Sequence, residues 1–144
     1  MMKVVIMGCG RLGQRVAKKM AKEENCDVIV IDKNASAFHR LGKDFPGKGM
    51  QADGTDMGIY SDIMEGVAVD VFLALTNSDN ANIMAAEIAR QKYKVAKVIA
   101  RVDDPIRAKA FEELGIETFC PTVLSEKRLA KMMAPPKQEE ERGD

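Results

Sequence analysis

The sequence has no surplus of charge of either sign. Lysine and arginine together number 22, aspartate and glutamate also number 22, and the formal net charge is therefore zero. Proteins that bind nucleic acids normally carry an excess of basic residues for contacts with phosphates. We therefore predict that this protein has no nucleic-acid partner.

Long apolar runs are missing as well. A membrane-spanning helix needs about 18 or more predominantly apolar residues, and no run in this chain approaches that length. The chain passes from Met1 straight into a strand-like segment, without the regions of a signal peptide. We expect a cytoplasmic protein without direct membrane insertion, so that any contact with the inner face of the cell membrane is made through a partner.

Histidine and cysteine are scarce. His39 is the single histidine, which argues against a histidine-based zinc site or catalytic triad. Cys9, Cys26 and Cys120 are an odd number without paired spacing, so we interpret them as reduced thiols rather than disulfides or metal ligands. Cys9 lies within the glycine-rich turn described below, where its oxidation could block a ligand. A small residue placed there by chance is the simpler interpretation.

What the sequence does contain is a regular alternation of strand-like and helix-like segments. The predicted strands are the apolar runs 3–8, 26–32, 49–53, 70–76, 97–102 and 116–121. The predicted helices are the segments 11–24, 34–45, 57–66, 78–93, 104–115 and 123–133. This order is typical of the α/β class and predicts one Rossmann-like domain over residues 1–133, a doubly wound, six-stranded parallel sheet with helices on both faces. Residues 134–144 hold two prolines and many charges, and we predict a disordered tail or the start of a linker.

The turn after the first predicted strand has the pattern G-x-G-x-x-G, formed by Gly8, Gly10 and Gly13. In this motif the first glycine permits a tight turn, the second lets the backbone approach a diphosphate, and the third lets helix and strand pack closely. The helix N-terminus then offers free N–H groups and a partial positive charge to the phosphates. The alternative is a glycine turn that serves packing alone.

Asp32 ends the second predicted strand, where an acidic residue in such domains accepts hydrogen bonds from the adenosine ribose. A carboxylate there would repel a 2′-phosphate, which disfavours NADP, although the neighbouring Lys33 could soften that repulsion. The site would accept NAD or NADH, or alternatively AMP, ADP or ATP, since each carries a free ribose and at least one phosphate. Sequence geometry does not choose among them.

No catalytic group accompanies this site. A dehydrogenase needs a substrate pocket and an acid or base beside the nicotinamide. Tyr93 and Lys97 have the spacing Y-x-x-x-K, but they cross from a predicted helix into a predicted strand and should not share a helical face. The Walker pattern G-x-x-x-x-G-K-[ST] is absent too. We therefore predict a sensor of nucleotide and not an enzyme.

Six segments of the chain occur in the order found in one known family. They are MGCGRLG, VIVID, QADGTD, LALTNSDNANIMAA, VIARVDDP and FEELGIETFCP. With them the chain resembles, over about residues 1–133, the RCK N-terminal domain, the NAD-binding TrkA-N or KTN module of potassium uptake and channel regulators. The resemblance implies a regulatory nucleotide-binding subunit or domain that controls a potassium transporter or channel through peripheral association. It also implies a homodimer or a higher ring, since family members pair.

The resemblance implies further ligand contacts in the first half of the chain. Arg11, directly after the second glycine, would reach the phosphates with its fork of donors, unless it is a solvated residue at the helix start. Asp53 would hold the adenine edge with help from Ala52 and Thr55, unless it serves as a helix cap or turn residue.

Further contacts are implied where the crevice of such a sheet opens. Thr76, Asn77 and Asn80 follow the fourth strand, and Arg101, which ends the fifth, would approach the phosphate end of the ligand or form a structural ion pair. Asn82 matches an asparagine common in this helix, for which capping or packing is an equal explanation. The complete predicted contact set is Gly8, Gly10, Arg11, Leu12, Gly13, Asp32, Lys33, Ala52, Asp53, Thr55, Thr76, Asn77, Asn80 and Arg101.

The chain departs from the family pattern in two respects. Many relatives carry Pro-Glu after the sixth strand, where the glutamate serves a divalent cation, but this chain has Pro121 and Thr122, and we predict no metal. The usual C-terminal ligand-binding domain is also missing, which is consistent with a stand-alone subunit, a fragment of a longer protein, or a fusion to a transporter. The segment ANIMAAEIA and the last helix, with Met132 and Met133, are candidate faces for pairing.

Two other functions stay open. The chain could be the cofactor domain of an NAD-dependent oxidoreductase, which would require a catalytic acid that the sequence does not reveal. The same regulatory module could instead act on a proton-coupled cation antiporter, which shares the fold and the site and differs only in the partner.

Overall fold

The computed structural model describes residues 1–64 and 66–136. Within them lies a sheet of six strands, β1 Lys3–Met7, β2 Asp27–Asp32, β3 Lys48–Gln51, β4 Val71–Ala74, β5 Lys97–Arg101 and β6 Thr118–Phe119. All strand pairs are parallel, and the order is β3-β2-β1-β4-β5-β6. The predicted doubly wound sheet is therefore confirmed. Of the tail predicted at 134–144, residues 137–144 lie outside the described residues.

The described α-helices are α1 Arg11–Lys18, α2 Met57–Met64, α3 Asp79–Glu87, α4 Pro105–Glu113 and α5 Pro121–Met133. α1 and α3 each continue into a π-helical turn, Lys19–Glu23 and Ile88–Lys92. Both extended helices end in the same way, because Asn25 and Lys94 adopt the left-handed backbone conformation, with φ of 53° and 55°.

The two predicted elements that shorten most are the second helix and the sixth strand. The helix predicted over 34–45 is a 3-10 segment, Ala35–Leu41, which begins where the Asn34 side chain accepts a hydrogen bond from the Ser36 N–H and ends before Gly42, with φ of 81°. The strand predicted over 116–121 is reduced to β6, because the Ile116 N–H still bonds to the preceding helix, at the Phe111 carbonyl. α5 then starts at Pro121.

The core lies on both sides of β1. Val4 and Ile6 are fully buried and pack in one layer with Ala17 of α1. Val5 is fully buried and packs in the other layer with Tyr60 of α2. Burying a side chain of this size contributes on the order of 1.5–3 kcal/mol. Both faces of the sheet are therefore covered, as the near-continuous apolar character of β1 predicts.

The carboxyl ends of these parallel strands share one edge of the sheet. The strand order reverses between β1 and β4, and in such sheets the crevice at the reversal is where ligands bind. The turn that begins at Gly8 and the backbone at Leu75, which follows β4, face each other across this point.

α5 is unlike the other helices. None of its residues is buried, and Leu124, Leu129, Met132 and Met133 are exposed. In the part of the chain that the structure describes, no helix combines the length and the apolar character needed to cross a membrane.

Candidate functional site

A cavity of about 390 Å³ lies at the carboxyl edge of the sheet, in the crevice between β1 and β4. A volume of this size suits a small-molecule site. Most of the predicted contact residues line it, namely Gly8, Gly10, Arg11, Leu12, Asp32, Lys33, Ala52, Asp53, Thr55, Thr76, Asn77 and Arg101. Met7, Ile31 and Leu75 also line it; they lie near the ends of predicted strands but are not among the predicted contacts.

The three glycines of the turn have different surroundings. Gly8 has φ of 109°, and a Cβ there would lie 3.0 Å from the backbone of Leu75 and Thr76. A Cβ on Gly13 would lie 1.9 Å from the Gly8 carbonyl oxygen, so Gly13 lets α1 pack on the turn but does not line the cavity. Apart from its two chain neighbours, a Cβ on Gly10 would meet no atom of the described residues within 4 Å. The turn therefore leaves open space at Gly10, which does line the cavity.

The Asp32 carboxylate connects β2 to this turn. Its Oδ2 accepts a hydrogen bond from the Cys9 N–H and its Oδ1 accepts one from the Asn34 N–H, each at 2.8 Å. A carboxylate offers about four acceptor positions, so two are left for hydroxyl groups of a ligand. The sequence motif predicted this residue, but it did not show the hydrogen bonds that orient it.

Cys9 is fully buried, and its thiol faces the 3-10 segment, where Sγ donates to the Ala37 carbonyl at 3.4 Å. Burial and, to a lesser degree, the nearby Asp32 carboxylate raise the pKa of the Cys9 thiol. The thiolate is the reactive form of cysteine, so this environment disfavours oxidation. A small residue that fits the turn is therefore the better interpretation of Cys9.

Three cationic side chains line the cavity. Arg11 is exposed, lies at the first position of α1 and, among residues 1–64 and 66–136, offers its guanidinium to no hydrogen bond or ion pair. Lys33 is exposed and lies close enough to Asp53 to act on it electrostatically. Arg101 lines the opposite wall, where Asp103 pairs with it.

The turn after β3 is organised by Asp53. Its Oδ1 accepts hydrogen bonds from the Thr55 N–H at 2.9 Å and from the Thr55 hydroxyl at 2.7 Å. These two bonds lower the pKa of the Asp53 carboxyl. Asp53 is therefore a turn residue, whereas the start of α2 is held by Asp56, which accepts from the Gly58 N–H at 2.9 Å. The turn places Ala52, Asp53 and Thr55 on the wall of the cavity.

Tyr60 supports the same turn from within the core. Its ring is fully buried, and its hydroxyl donates to the Gly54 carbonyl. Burial raises the pKa of Tyr60 well above its ordinary value. Tyr60 is not among the predicted site residues, although an aromatic side chain with a polar tip in an apolar helix indicates a buried hydrogen-bond partner.

The ends of β4 and β5 are joined by a buried amide. Asn82 of α3 is fully buried and bonds to Thr76 and to the Arg101 carbonyl. Thr76 and Arg101 both line the cavity. Asn82 does not line the cavity. Its position therefore supports capping or packing, and not ligand contact, as the explanation for this asparagine.

Asn80, by contrast, does not reach the cavity. Its side chain is exposed and accepts a hydrogen bond from the Arg107 guanidinium of α4. Asp79 explains this arrangement, because it accepts from the Asp103 and Asp104 N–H groups at 2.8 and 3.2 Å and draws the start of α4 towards α3. Spacing after a strand could not reveal that the Asn80 side chain turns towards α4.

Two further sequence features lie outside the cavity. Tyr93 follows a π-helical turn, whereas Lys97 begins β5 at the amino edge of the sheet and pairs with Glu117 at 3.0 Å. They share no helical face, as predicted. Thr122 donates its hydroxyl to the Asp103 carbonyl at 3.0 Å, and the described residues contain no cluster of three or more side chains suited to a metal ion.

The sequence profile of the TrkA-N domain matches residues 4–121. The chain belongs to the TrkA-N domain family. It is 38% identical over 120 residues to the Trk system potassium uptake protein TrkA of Streptomyces coelicolor, which covers 81% of this chain and 52% of the relative. It is 34% identical over 113 residues to a TrkA homolog of Pyrococcus abyssi, which covers 78% of this chain and 49% of the relative. This TrkA-N domain thus spans about half the length of these relatives.

Solved structures share the fold at low sequence identity. The NAD(P)-binding domain of an exopolyphosphatase-related protein from Archaeoglobus fulgidus has a TM-score of 0.74 at 21% identity, covering 92% of this chain and 98% of that one. The Shewanella denitrificans Kef C-terminal domain in its AMP-bound form has a TM-score of 0.73 at 19% identity, with 92% and 82% covered. The GsuK RCK domain has a TM-score of 0.73 at 18% identity, with 92% and 28% covered. The predicted resemblance to RCK and TrkA-N domains is confirmed.

Proposed function

We propose that this TrkA-N domain is a regulatory nucleotide-binding domain of a potassium transport system. The observation that carries the proposal is the cavity at the reversal of strand order. There the open space at Gly10, the Arg11 guanidinium, which has no partner among the described residues, and the Asp32 carboxylate surround one volume. A partial positive charge at the start of α1 and an arginine suit phosphates, whereas the carboxylate suits ribose hydroxyls.

The ligand is NAD or NADH, or alternatively AMP, ADP or ATP. Asp32 would accept the ribose hydroxyls, and Asp53 with Ala52 and Thr55 would lie beside the base. Asp32 disfavours NADP, because its carboxylate would face a 2′-phosphate. The fold neighbours are compatible with both ligand classes, since one is named an NAD(P)-binding domain and another an AMP-bound form.

We further propose that the domain is not an enzyme. The titratable side chains that line the cavity are carboxylates and cations, Asp32, Asp53, Arg11, Lys33 and Arg101. Asp32 and Asp53 each accept hydrogen bonds from backbone N–H groups of their own turns, so both carboxylates hold the turns that shape the cavity. A ligand would therefore act through different affinities for two arrangements of the assembly.

The surroundings of α5 support an assembly. A helix of 13 residues is marginal on its own in water, yet α5 buries none of its residues. Its exposed leucines and methionines would gain stability against another surface. We propose that this surface is a second copy of the chain, in a homodimer or higher ring. The assembly would lie in the cytoplasm and associate peripherally with a membrane potassium transporter or channel.

Calorimetric titration with NAD, NADH, AMP, ADP and ATP tests the binding half of the proposal. We expect at least one of them to bind. The double variant Arg11→Ala, Asp32→Ala should abolish that binding. An absence of binding by all five at millimolar concentration would overturn it. Turnover of NADH with a small carbonyl substrate would overturn the non-enzymatic role in favour of the oxidoreductase alternative.

Regulation of a proton-coupled cation antiporter remains the alternative within the same site chemistry. It differs only in the membrane partner. Affinity purification of the protein from membranes of its own cells would separate the two, because the recovered integral membrane protein would be either a potassium transporter or channel, or an antiporter.

A further inference from the structure

Asn82 uses the whole hydrogen-bonding capacity of its amide on two residues, Thr76 and Arg101. Its Oδ1 accepts from the Thr76 N–H at 3.0 Å and from the Thr76 hydroxyl at 2.6 Å. Its Nδ2 donates to the carbonyls of Thr76, at 2.9 Å, and Arg101, at 2.8 Å. An asparagine amide has two donors and two acceptor positions, so each is occupied. Among the described Asn, Gln, Ser, Thr, His and charged residues, Asn82 is also the only one that is buried.

These bonds begin where the sheet ladder stops. The last paired residues of β4 and β5 are Ala74 and Ala100. Beyond them the strands separate, and Arg101 pairs instead with Phe119 of β6. The Asn82 amide bridges the gap with the same donor and acceptor groups that a peptide unit would supply. It therefore sets the spacing between Thr76 and Arg101, which both line the cavity.

The other side of the cavity has separate supports. Asp32 is held by the N–H groups of Cys9 and Asn34, and the turn at Asp53 is held by Thr55. None of these groups bonds to Asn82. A change at Asn82 should therefore move Thr76 and Arg101, which follow β4 and end β5. It should leave Asp32 and the turn at Asp53 in place.

We infer that Asn82 is a positioning residue that governs the affinity for the part of a ligand beyond its first phosphate. The inference rests on the proposed function, in which adenosine lies at Asp32 and the first phosphate at the turn around Gly10. A dinucleotide would extend from there towards Thr76 and Arg101, whereas AMP would end at the turn. Asn82 therefore determines how far the domain prefers a dinucleotide to a mononucleotide.

The test compares NAD and AMP binding, by calorimetry, in the wild type and in Asn82→Ser. A serine is too short to reach the Arg101 carbonyl. The variant loses the buried hydrogen bond to the Arg101 carbonyl, and Arg101 can then shift. NAD affinity should therefore fall by roughly tenfold, while AMP affinity should stay within about twofold. Asn82→Asp is the second variant, because it keeps the acceptor for Thr76 but cannot, when ionised, donate to either carbonyl.

Val69→Ala is the matched control for stability. Val69 is buried and precedes β4 at the amino edge of the sheet, away from the cavity. Its loss should lower the midpoint of thermal unfolding and leave both affinities within about twofold. Each titration is made well below the unfolding midpoint of the variant concerned.

The outcomes separate the inference from the proposed function. Equal loss of NAD and AMP affinity, or no loss of either, would show that Asn82 has only a structural role or none, with nucleotide binding itself intact. A wild type that binds neither ligand would overturn both the inference and the proposed function. A selective loss of NAD affinity in either Asn82 variant supports the inference.

Discussion

Arg101 and Asp103 form an ion pair at the wall of the cavity. The Arg101 Nε donates to Asp103 Oδ1 at 2.8 Å and its Nη2 donates to Oδ2 at 3.3 Å. The Asp103 N–H in turn donates to Asp79, and its carbonyl accepts from Thr122 at the start of α5. A cation that lines the cavity is thus partly neutralised by a residue whose backbone contacts α5, the least buried helix.

Removal of that carboxylate should strengthen the binding of phosphate-bearing ligands. In Asp103→Asn the Arg101 guanidinium is no longer neutralised, and since half-exposed ion pairs are worth less than about 1 kcal/mol, affinity should rise by up to about fivefold. Glu117→Gln is the control. It removes the acidic partner of Lys97, a carboxylate of similar exposure at the amino edge of the sheet. Weaker binding by Asp103→Asn would mean that the pair positions Arg101 for the ligand instead of competing with it.

Arg11→Ala should weaken nucleotide binding without affecting the fold. The side chain makes no hydrogen bond to any described residue, so its charge is available to phosphates, where a charged hydrogen bond is worth about 1.5–3 kcal/mol, or roughly 10- to 100-fold in affinity. Arg15→Ala provides the comparison, since Arg15 is exposed one turn further along α1 and does not line the cavity. Because Arg11 is exposed, its effect should shrink as salt is added. Equal losses in the two variants would point to general electrostatic attraction.

Asp32→Asn should change the choice between NAD and NADP. The neutral amide no longer repels a 2′-phosphate, and Lys33 is adjacent to attract it, so the ratio of NAD to NADP affinity should fall. The same variant should also lose about 1–3 kcal/mol of unfolding free energy, because one of the two carboxylate oxygens becomes an NH2 group, which cannot accept from the Cys9 or Asn34 N–H that it then faces. Asp27→Asn, at the opposite end of β2, should leave the ratio unchanged. An unaltered ratio in Asp32→Asn would remove this carboxylate from the ribose site.

The predictable part of this protein is the part encoded by local pattern. The alternation of segments gives the sheet, and the spacing of Gly8, Gly10 and Gly13 with Asp32 locates the crevice. The support of the site was not predictable in this way, because Asn82 bonds to Arg101, 19 positions away, and Asp79 bonds to Asp103, 24 positions away. Such contacts depend on how helices pack after folding, and no periodicity reports them.

Tyr60 should make the stability of the domain depend on pH in the alkaline range. The raised pKa keeps the buried hydroxyl protonated in the folded state, whereas an unfolded tyrosine ionises near pH 10. The folded state therefore holds more protons above that pH, so the contribution of Tyr60 is complete below about pH 10 and falls by up to about 1.4 kcal/mol per pH unit above it. Urea unfolding of wild type and Tyr60→Phe at pH 8 to 11 measures this as a shrinking difference in unfolding free energy. A difference that stays constant across the series would contradict the assignment.

Gly13 and Gly10 should separate folding from binding. In Gly13→Ala the new Cβ would lie 1.9 Å from the Gly8 carbonyl oxygen, so α1 must move away from the turn, and we expect a loss of at least about 1–3 kcal/mol in unfolding free energy. In Gly10→Ala the Cβ meets no atom of the described residues within 4 Å other than its chain neighbours, and the loss of stability should not exceed about 1 kcal/mol. The same methyl occupies space where a diphosphate would approach the backbone, so nucleotide affinity should fall by roughly tenfold or more. Thermal unfolding and calorimetric titration of both variants give the comparison. If Gly10→Ala bound nucleotide as well as the wild type, the turn would serve packing alone, because the space that it leaves open would have no occupant.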